Sequence, residues 1–182
     1  MVIQGVTYHF PSRQIDITPA SFENKQQFDA HQTFVGTSRL YQASEDVTAS
    51  DLALKAAMKL LVDADLNDID FLIFSSLTLD YQSTASILHK KLGLKASCGV
   101  MDLPLGCAGF PMALMTANGL FNTMNLNRVL VLLGEVPTRA VHPANASINF
   151  VFGDAGAAVM LGKSMDKLCF EFGNDGDGFS SL

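Results

Sequence analysis

The 182-residue sequence has no tryptophan, three cysteines, and 12 lysines and arginines against 18 aspartates and glutamates, for a formal net charge of −6. Each shortage excludes something. A nucleic-acid surface needs a basic block or stripe, often interleaved with aromatic rings, and none is present. Cys98, Cys107 and Cys169 are odd in number and lack a spacing such as C-x-x-C, so neither a disulfide framework nor a metal site is expected. No apolar run reaches the length of a membrane span. Residues 1–4 lead straight into a strand-like segment, without the charged n-region or apolar h-region of a signal peptide. The expectation is a cytoplasmic protein with no membrane or nucleic-acid partner. Repeats, low-complexity stretches and internal linkers are also lacking, and 48% hydrophobic against 16% charged residues suits one domain with a sizeable core.

What is present alternates between two periodicities. Residues 2–10 carry the β-branched and aromatic content of a strand and are stopped by Pro11. Thr18 and Pro19 look like the N-cap and first position of a helix running to about Gln32, and residues 34–39 read as a loop. Thr48 to Asp51 resembles a capping box ahead of an apolar stripe at Leu52, Ala53, Ala56, Ala57, Leu60, Leu61 and Ala64. Residues 69–76 and 128–133 are nearly continuous apolar runs, as in strands buried on both faces. Between them, residues 83–92 suggest a helix ended by Gly93, with Lys90 and Lys91 placed to complement its dipole. Further strands are expected up to Leu161 and over residues 168–172. The acidic glycine stretch at 173–178 lacks the carboxylate at the twelfth position of a calcium loop and reads as a flexible end. Alternating strands and helices predict an α/β fold, a mainly parallel sheet covered by helices.

The chemistry concentrates in Asp102-Leu103-Pro104-Leu105-Gly106-Cys107-Ala108-Gly109-Phe110, a strand end, a turn of small residues and the start of an apolar helix with Pro111 in its first turn and Met112, Leu114, Met115 and Leu120 as core filler. A thiol at such a bend lies near the positive end of a helix dipole, which favours the thiolate. Gly106, Ala108 and Gly109 keep side-chain bulk away from the sulfur, so that a carbonyl can approach and backbone N–H groups can face an oxyanion. The same pattern also suits a small buried cysteine at a packed crossover. Of the histidines, His9, His31 and His89 read as surface residues, and His142 lies nearer the expected substrate entrance without spacing that closes a triad.

The Cys107 run resembles the Asp-x-x-x-x-Cys-(Ala/Ser)-Gly-Phe segment of the beta-ketoacyl-acyl carrier protein synthase III family, condensing enzymes of the thiolase superfamily. Phe152-Gly153-Asp154-Ala155-Gly156-Ala157-Ala158 resembles the family's Phe-Gly-Asp-Gly-Ala-x-Ala segment, and Asp68-Ile69-Asp70, Ser50 to Ala53 and, loosely, Phe34 to Arg39 match other parts. The resemblance covers nearly the whole chain, strongest over residues 51–161, and is to the N-terminal one of two similar halves. It implies a thiolase-like fold with one β-α-β-α-β-α-β-β unit, residues 1–182 forming that domain and the C-terminal half absent. It further implies that Cys107 takes an acyl group from an acyl thioester and condenses it with malonyl-acyl carrier protein, which loses carbon dioxide, in fatty acid or polyketide-like biosynthesis. Gly106, Ala108 and Gly109 would frame the elbow and oxyanion, and Tyr81 and Phe110 the acyl pocket, Tyr81 across a dimer interface; an ordinary loop tyrosine is the alternative. The assisting histidine and asparagine, and one backbone N–H of the oxyanion hole, belong to the family's other half. Coenzyme A loses two usual partners here, a tryptophan and the arginine whose place Asn145-Ala146 takes, so the donor is carried on coenzyme A or on the carrier protein, and no bound cofactor is expected. The implied partner is a second copy of the chain or the missing half. The other reading is an interaction subunit without turnover.

Overall fold

Strand and helix periods along the chain resolve into β1 (Val2–His9), β2 (Arg13–Asp16), α1 (Lys25–Phe34), β3 (Arg39–Gln42), α2 (Ala49–Leu60), β4 (Ile69–Ser75), α3 (Thr84–Leu92), β5 (Gly99–Leu103), α4 (Gly109–Thr123), β6 (Arg128–Glu135) and β7 (Ala155–Gly162). The computed structural model describes residues 1–141, 148, 150–166 and 168–177. Five strands form one sheet in the order β1-β7-β6-β4-β5, and β2 pairs with β3 separately. The sheet is mixed. β5, β4 and β6 form its parallel part, while β7 runs antiparallel to both β6 and β1.

β4 and β6 are apolar at almost every position because helices cover both of their faces. Leu72, Phe74, Leu130 and Leu132 pack with α2 and α3 on one side, and Ile73, Val129 and Val131 pack with α4 on the other, all fully buried. α2 opens with the expected capping box: the Asp51 N–H donates to Thr48 Oγ1 and the Thr48 N–H to Asp51 Oδ2, both at 3.2 Å. Its buried stripe is mostly alanine, so the helix backbone rests directly on the sheet. A side chain at Gly134 of β6 would strike the Ala49 carbonyl, and one at Gly156 of β7 the Leu52 carbonyl. α3 ends as read, with Gly93 left-handed at φ 67°.

Four expectations need correction. The helix read over residues 19–32 is a short turn at Pro19–Ser21 followed by α1, which starts under its own cap, the Gln27 N–H donating to Asn24 Oδ1 at 2.9 Å. The break turns Phe22 onto His31 and Phe150. His31 is consequently buried, not a surface residue, and its Nε2 lies 3.0 Å from the Thr37 carbonyl. The loop read over residues 34–39 leads into β3, whose partner β2 had no alternating signal long enough to mark it. Residues 168–172 form no strand, because a strand needs a ladder partner and neither sheet offers them one.

Asp154, just before β7, is 1% exposed and gathers three segments. Its carboxylate accepts the Ala43 N–H at 2.8 Å, the Thr138 N–H at 3.1 Å and the Thr138 hydroxyl at 2.8 Å, while its own N–H donates to the Tyr41 carbonyl at 2.8 Å. Removing the carboxylate strands buried donors, at a cost of about 1–3 kcal/mol each. Asp154→Ala is therefore expected to lower stability by about 2–4 kcal/mol in urea denaturation, with the exposed Asp175→Ala as a control within about 0.5 kcal/mol; equal midpoints for the two variants would contradict the tie.

Candidate active site

Because β5, β4 and β6 are parallel, their carboxyl ends, Leu103, Ser75 and Glu135, share one edge of the sheet, where open α/β sheets place ligands. The connection from β5 to α4 is tied to β4 at that edge: the Ser76 N–H donates to the Leu103 carbonyl at 3.2 Å and Ser75 Oγ to the Leu105 carbonyl at 3.1 Å. The Gly109 N–H then donates to the Gly106 carbonyl at 2.7 Å, closing a turn with Cys107 and Ala108 at its corners. Cys107 is exposed there. The flanking glycines have a packing reason as well as the chemical one read from sequence. A Cβ on Gly109 would collide with Ser75 Oγ, and one on Gly106 would sit 2.6 Å from Leu77 Cδ1.

No side chain caps α4, whose N-cap residue is Ala108. The N–H groups of Cys107, Ala108 and Phe110 meet no acceptor among the described residues, so the positive end of the helix is open to a negatively charged group. Asp102, one turn of strand before the elbow, instead caps α3 by accepting the Ala85 N–H at 2.9 Å. Burial raises its carboxyl above the usual range, and the Ala85 and Thr84 backbone N–H groups pull it partly back. The residues between β4 and α3 thereby share the Cys107 edge. Tyr81, within them, is 57% exposed, with its N–H on Thr84 Oγ1 at 3.2 Å. Phe110 is half-buried against the α4 side of the core.

One residue of this edge carried no motif in the sequence. Glu135 accepts the Leu77 N–H at 2.6 Å and the Thr78 hydroxyl at 3.0 Å, holding the segment that leans on Gly106. Its one signal was a charge closing an apolar strand run.

The other sequence candidates lie elsewhere. Cys98 is buried at the entrance to β5, and burial pushes its thiol up to about 11. Cys169 is exposed, outside any strand, in a cavity with Met1, Asn118 and Phe121 beside the C-terminal half of α4. His89 Nε2 lies 3.0 Å from the Lys95 carbonyl, at the opposite end of β5 from Cys107. His9 ends β1, four strand spacings from β5, or about 19 Å; burial and then Lys59 and Lys55 lower its pKa. His142, Asn145 and Ala146 lie outside the described residues. Among the described residues no histidine joins Cys107, no group of His, Cys, Asp and Glu is arranged to hold a metal, and no helix is long and apolar enough to cross a membrane.

The profile of the family described as 3-oxoacyl-[acyl-carrier-protein (ACP)] synthase III matches residues 101–176, from the Cys107 elbow through β7. A putative 3-oxoacyl-[acyl-carrier-protein] synthase 3 of Campylobacter jejuni is 30% identical, aligned over 99% of this chain and 53% of its own length. A beta-ketoacyl-[acyl-carrier-protein] synthase III of Neisseria gonorrhoeae is 40% identical over 67% of this chain and 39% of its own. The crystal structure of a 3-oxoacyl-(acyl-carrier protein) synthase from Burkholderia xenovorans LB400 is similar with a TM-score of 0.82 and 34% identity, over 90% of this chain and 48% of that one. The chain spans about half the length of the curated relatives it matches.

The three thiols differ in burial, and alkylation reads that difference. Iodoacetamide at pH 7 is expected to modify Cys107 and Cys169 and to spare Cys98, which becomes reactive as pH rises toward its pKa of about 11 or when the chain unfolds. Peptide mapping of the native protein would contradict the packing around β5 if Cys98 labelled as fast as Cys169.

Proposed function

As the chain belongs to the 3-oxoacyl-[acyl-carrier-protein] synthase III family and shares the thiolase-like fold of its members, we propose that it is the N-terminal, nucleophile-bearing half of a condensing acyltransferase of fatty acid or polyketide-like biosynthesis. The observation that carries this reading is the exposed Cys107, on a hydrogen-bonded turn at the uncapped end of α4, on the edge where three parallel strands end. In the first step the Cys107 sulfur attacks the carbonyl carbon of an acyl thioester. The proton of Cys107 passes to the departing thiol of coenzyme A or the carrier protein as its C–S bond breaks, leaving an acyl-cysteine. The N–H groups of Cys107 and Ala108, without an acceptor among the described residues, would donate to the tetrahedral oxyanion, and one such preorganised donor is worth about 10²–10³ in rate. In the second step malonyl-acyl carrier protein loses carbon dioxide, and its carbanion attacks the acyl carbon and expels the Cys107 thiolate. The groups that assist decarboxylation are assigned to the remaining length of the relatives.

A second reading, an interaction subunit without turnover, is favoured by one observation: the described histidines are all bonded or placed away from Cys107. Acyl transfer separates the two. Intact-mass analysis after exposure to a short acyl thioester is expected to show one acyl group on Cys107 and none in Cys107→Ser, with no condensation product when a malonyl thioester is added to the 182-residue chain. An adduct confined to Cys169, or none at all, would leave the interaction subunit as the better account.

The surfaces support a partner in either reading. Ile3, Val6 and Tyr8 of β1 are 50%, 60% and 62% exposed. By their pairing with Leu161, Val159 and Ala157 they lie on the sheet face that carries α4. Met112, Leu114, Met115 and Leu120, read from sequence as core, are half-buried, while Ala113, Ala117 and Phe121 fill the core beneath them. β5 is an edge strand with one side unpaired among the described residues. We assign the α4 face to the C-terminal half and the β5 edge to a second copy in a homodimer. Static light scattering at micromolar concentration should return twice the chain mass; a monomer that binds no hydrophobic dye would refute both assignments.

A further inference from the structure

Leu77 is 68% exposed, yet its position is fixed more firmly than exposure suggests. Its N–H donates to Glu135 Oε1 at 2.6 Å, and the next residue, Thr78, donates its hydroxyl to Glu135 Oε2 at 3.0 Å. Thr78 is pinned further, its N–H donating to Ser76 Oγ at 3.0 Å and its Oγ1 accepting the Val136 N–H at 3.4 Å. Hydrogen bonds to a carboxylate are the stronger kind, and Glu135 spends both oxygens on this one segment. The Leu77 side chain occupies the space a Gly106 side chain would need, with Cδ1 at 2.6 Å and Cγ at 3.1 Å from that Cβ position. An exposed apolar side chain on a hydrogen-bonded backbone thus abuts the residue before Cys107. The segment that carries it is held before a ligand arrives, so a ligand that covers the side chain gains burial without ordering that backbone.

We propose that Leu77 is a specificity-determining residue, an apolar shelf beside the Cys107 turn that favours acyl groups long enough to lie across it, and that Glu135 is the positioning residue holding the shelf against Gly106. This rests on Cys107 being the acyl acceptor. An acetyl group ends at the thiol, whereas each further methylene laid on apolar surface is worth up to about fourfold in relative rate.

The test compares alkylation by N-ethylmaleimide and N-octylmaleimide at neutral pH in the full 182-residue chain, with rates at Cys107 and Cys169 followed by peptide mapping. Cys169, beside the C-terminal half of α4, serves as the internal reference. The octyl-to-ethyl rate ratio at Cys107, divided by that at Cys169, is expected to fall about fourfold or more in Leu77→Ala and to persist in Leu77→Met. Glu135→Ala should lower the ratio as well, and Glu135→Gln, whose amide oxygen still accepts the Leu77 N–H, should restore most of it; a purely structural role would move the melting temperature and not the ratio. An unchanged ratio in Leu77→Ala with Cys107 still reactive overturns the shelf alone. Failure of Cys107 to react with either reagent overturns the acceptor assignment and the shelf with it. A Leu77→Ala effect confined to molecular mass by light scattering would make Leu77 a subunit contact and also overturn the proposal.

Discussion

Burial of β4 and β6 on both faces is the constraint from which the remaining structure follows. A strand covered on two sides must be apolar at consecutive positions, and Leu72, Ile73, Phe74, Val129, Leu130, Val131 and Leu132 meet that demand, each buried side chain contributing about 1.5–3 kcal/mol. Two covering layers require helices on opposite sides, so α2 and α3 take one face and α4 the other. α3 and α4 are the crossovers that carry the chain between the parallel strands β4, β5 and β6, and a parallel ladder brings all its carboxyl ends to one edge. The Cys107 turn stands on that edge for this reason.

At that end of the sheet, four acidic side chains serve as acceptors for backbone. Asp102 caps α3, Asp80 accepts the Ser50 N–H at the start of α2 at 3.0 Å, Asp154 joins three segments, and Glu135 holds Leu77 and Thr78. Where the N–H is buried, as is that of Ala43 on Asp154, the carboxylate replaces water that burial excludes, which is worth more than an exposed ion pair such as Arg39–Asp16. An excess of acidic over basic residues is in part the consequence of anchoring loops this way. It leaves the N-terminus of α4 as the uncapped helix start at the edge, beside the exposed thiol.

Legibility followed the strength of the local signal. α2, α3, β4 and β6 carried full periodicity and a cap or stop residue, and their bounds agree with the reading to within a few residues, α2 ending ahead of Ala64. Segments read from weaker cues went astray. Thr18-Pro19 is a sound helix start, but Asn24 offers a second cap and Phe22 gains aromatic contacts by breaking the helix between them. Residues 168–172 have strand composition and no strand to pair with. The methionines of α4 match a core pattern, yet alanines and Phe121 fill the contact with the sheet, since a helix apolar all round does not announce which face turns inward.

By itself the sequence determined the succession of strands and helices from α2 to β6, the caps of α2 and α3, and the presence of a cysteine between a strand and a helix, because these depend on residues close together in the chain. Tertiary structure alone decided that β7 lies antiparallel between β1 and β6, that His31 and Cys98 are buried while Cys107 and Cys169 are exposed, and that Glu135 reaches Leu77 across 58 residues of chain. Those outcomes depend on which surfaces meet, and contacts between distant segments are set by the packing of the whole sheet rather than by any local preference.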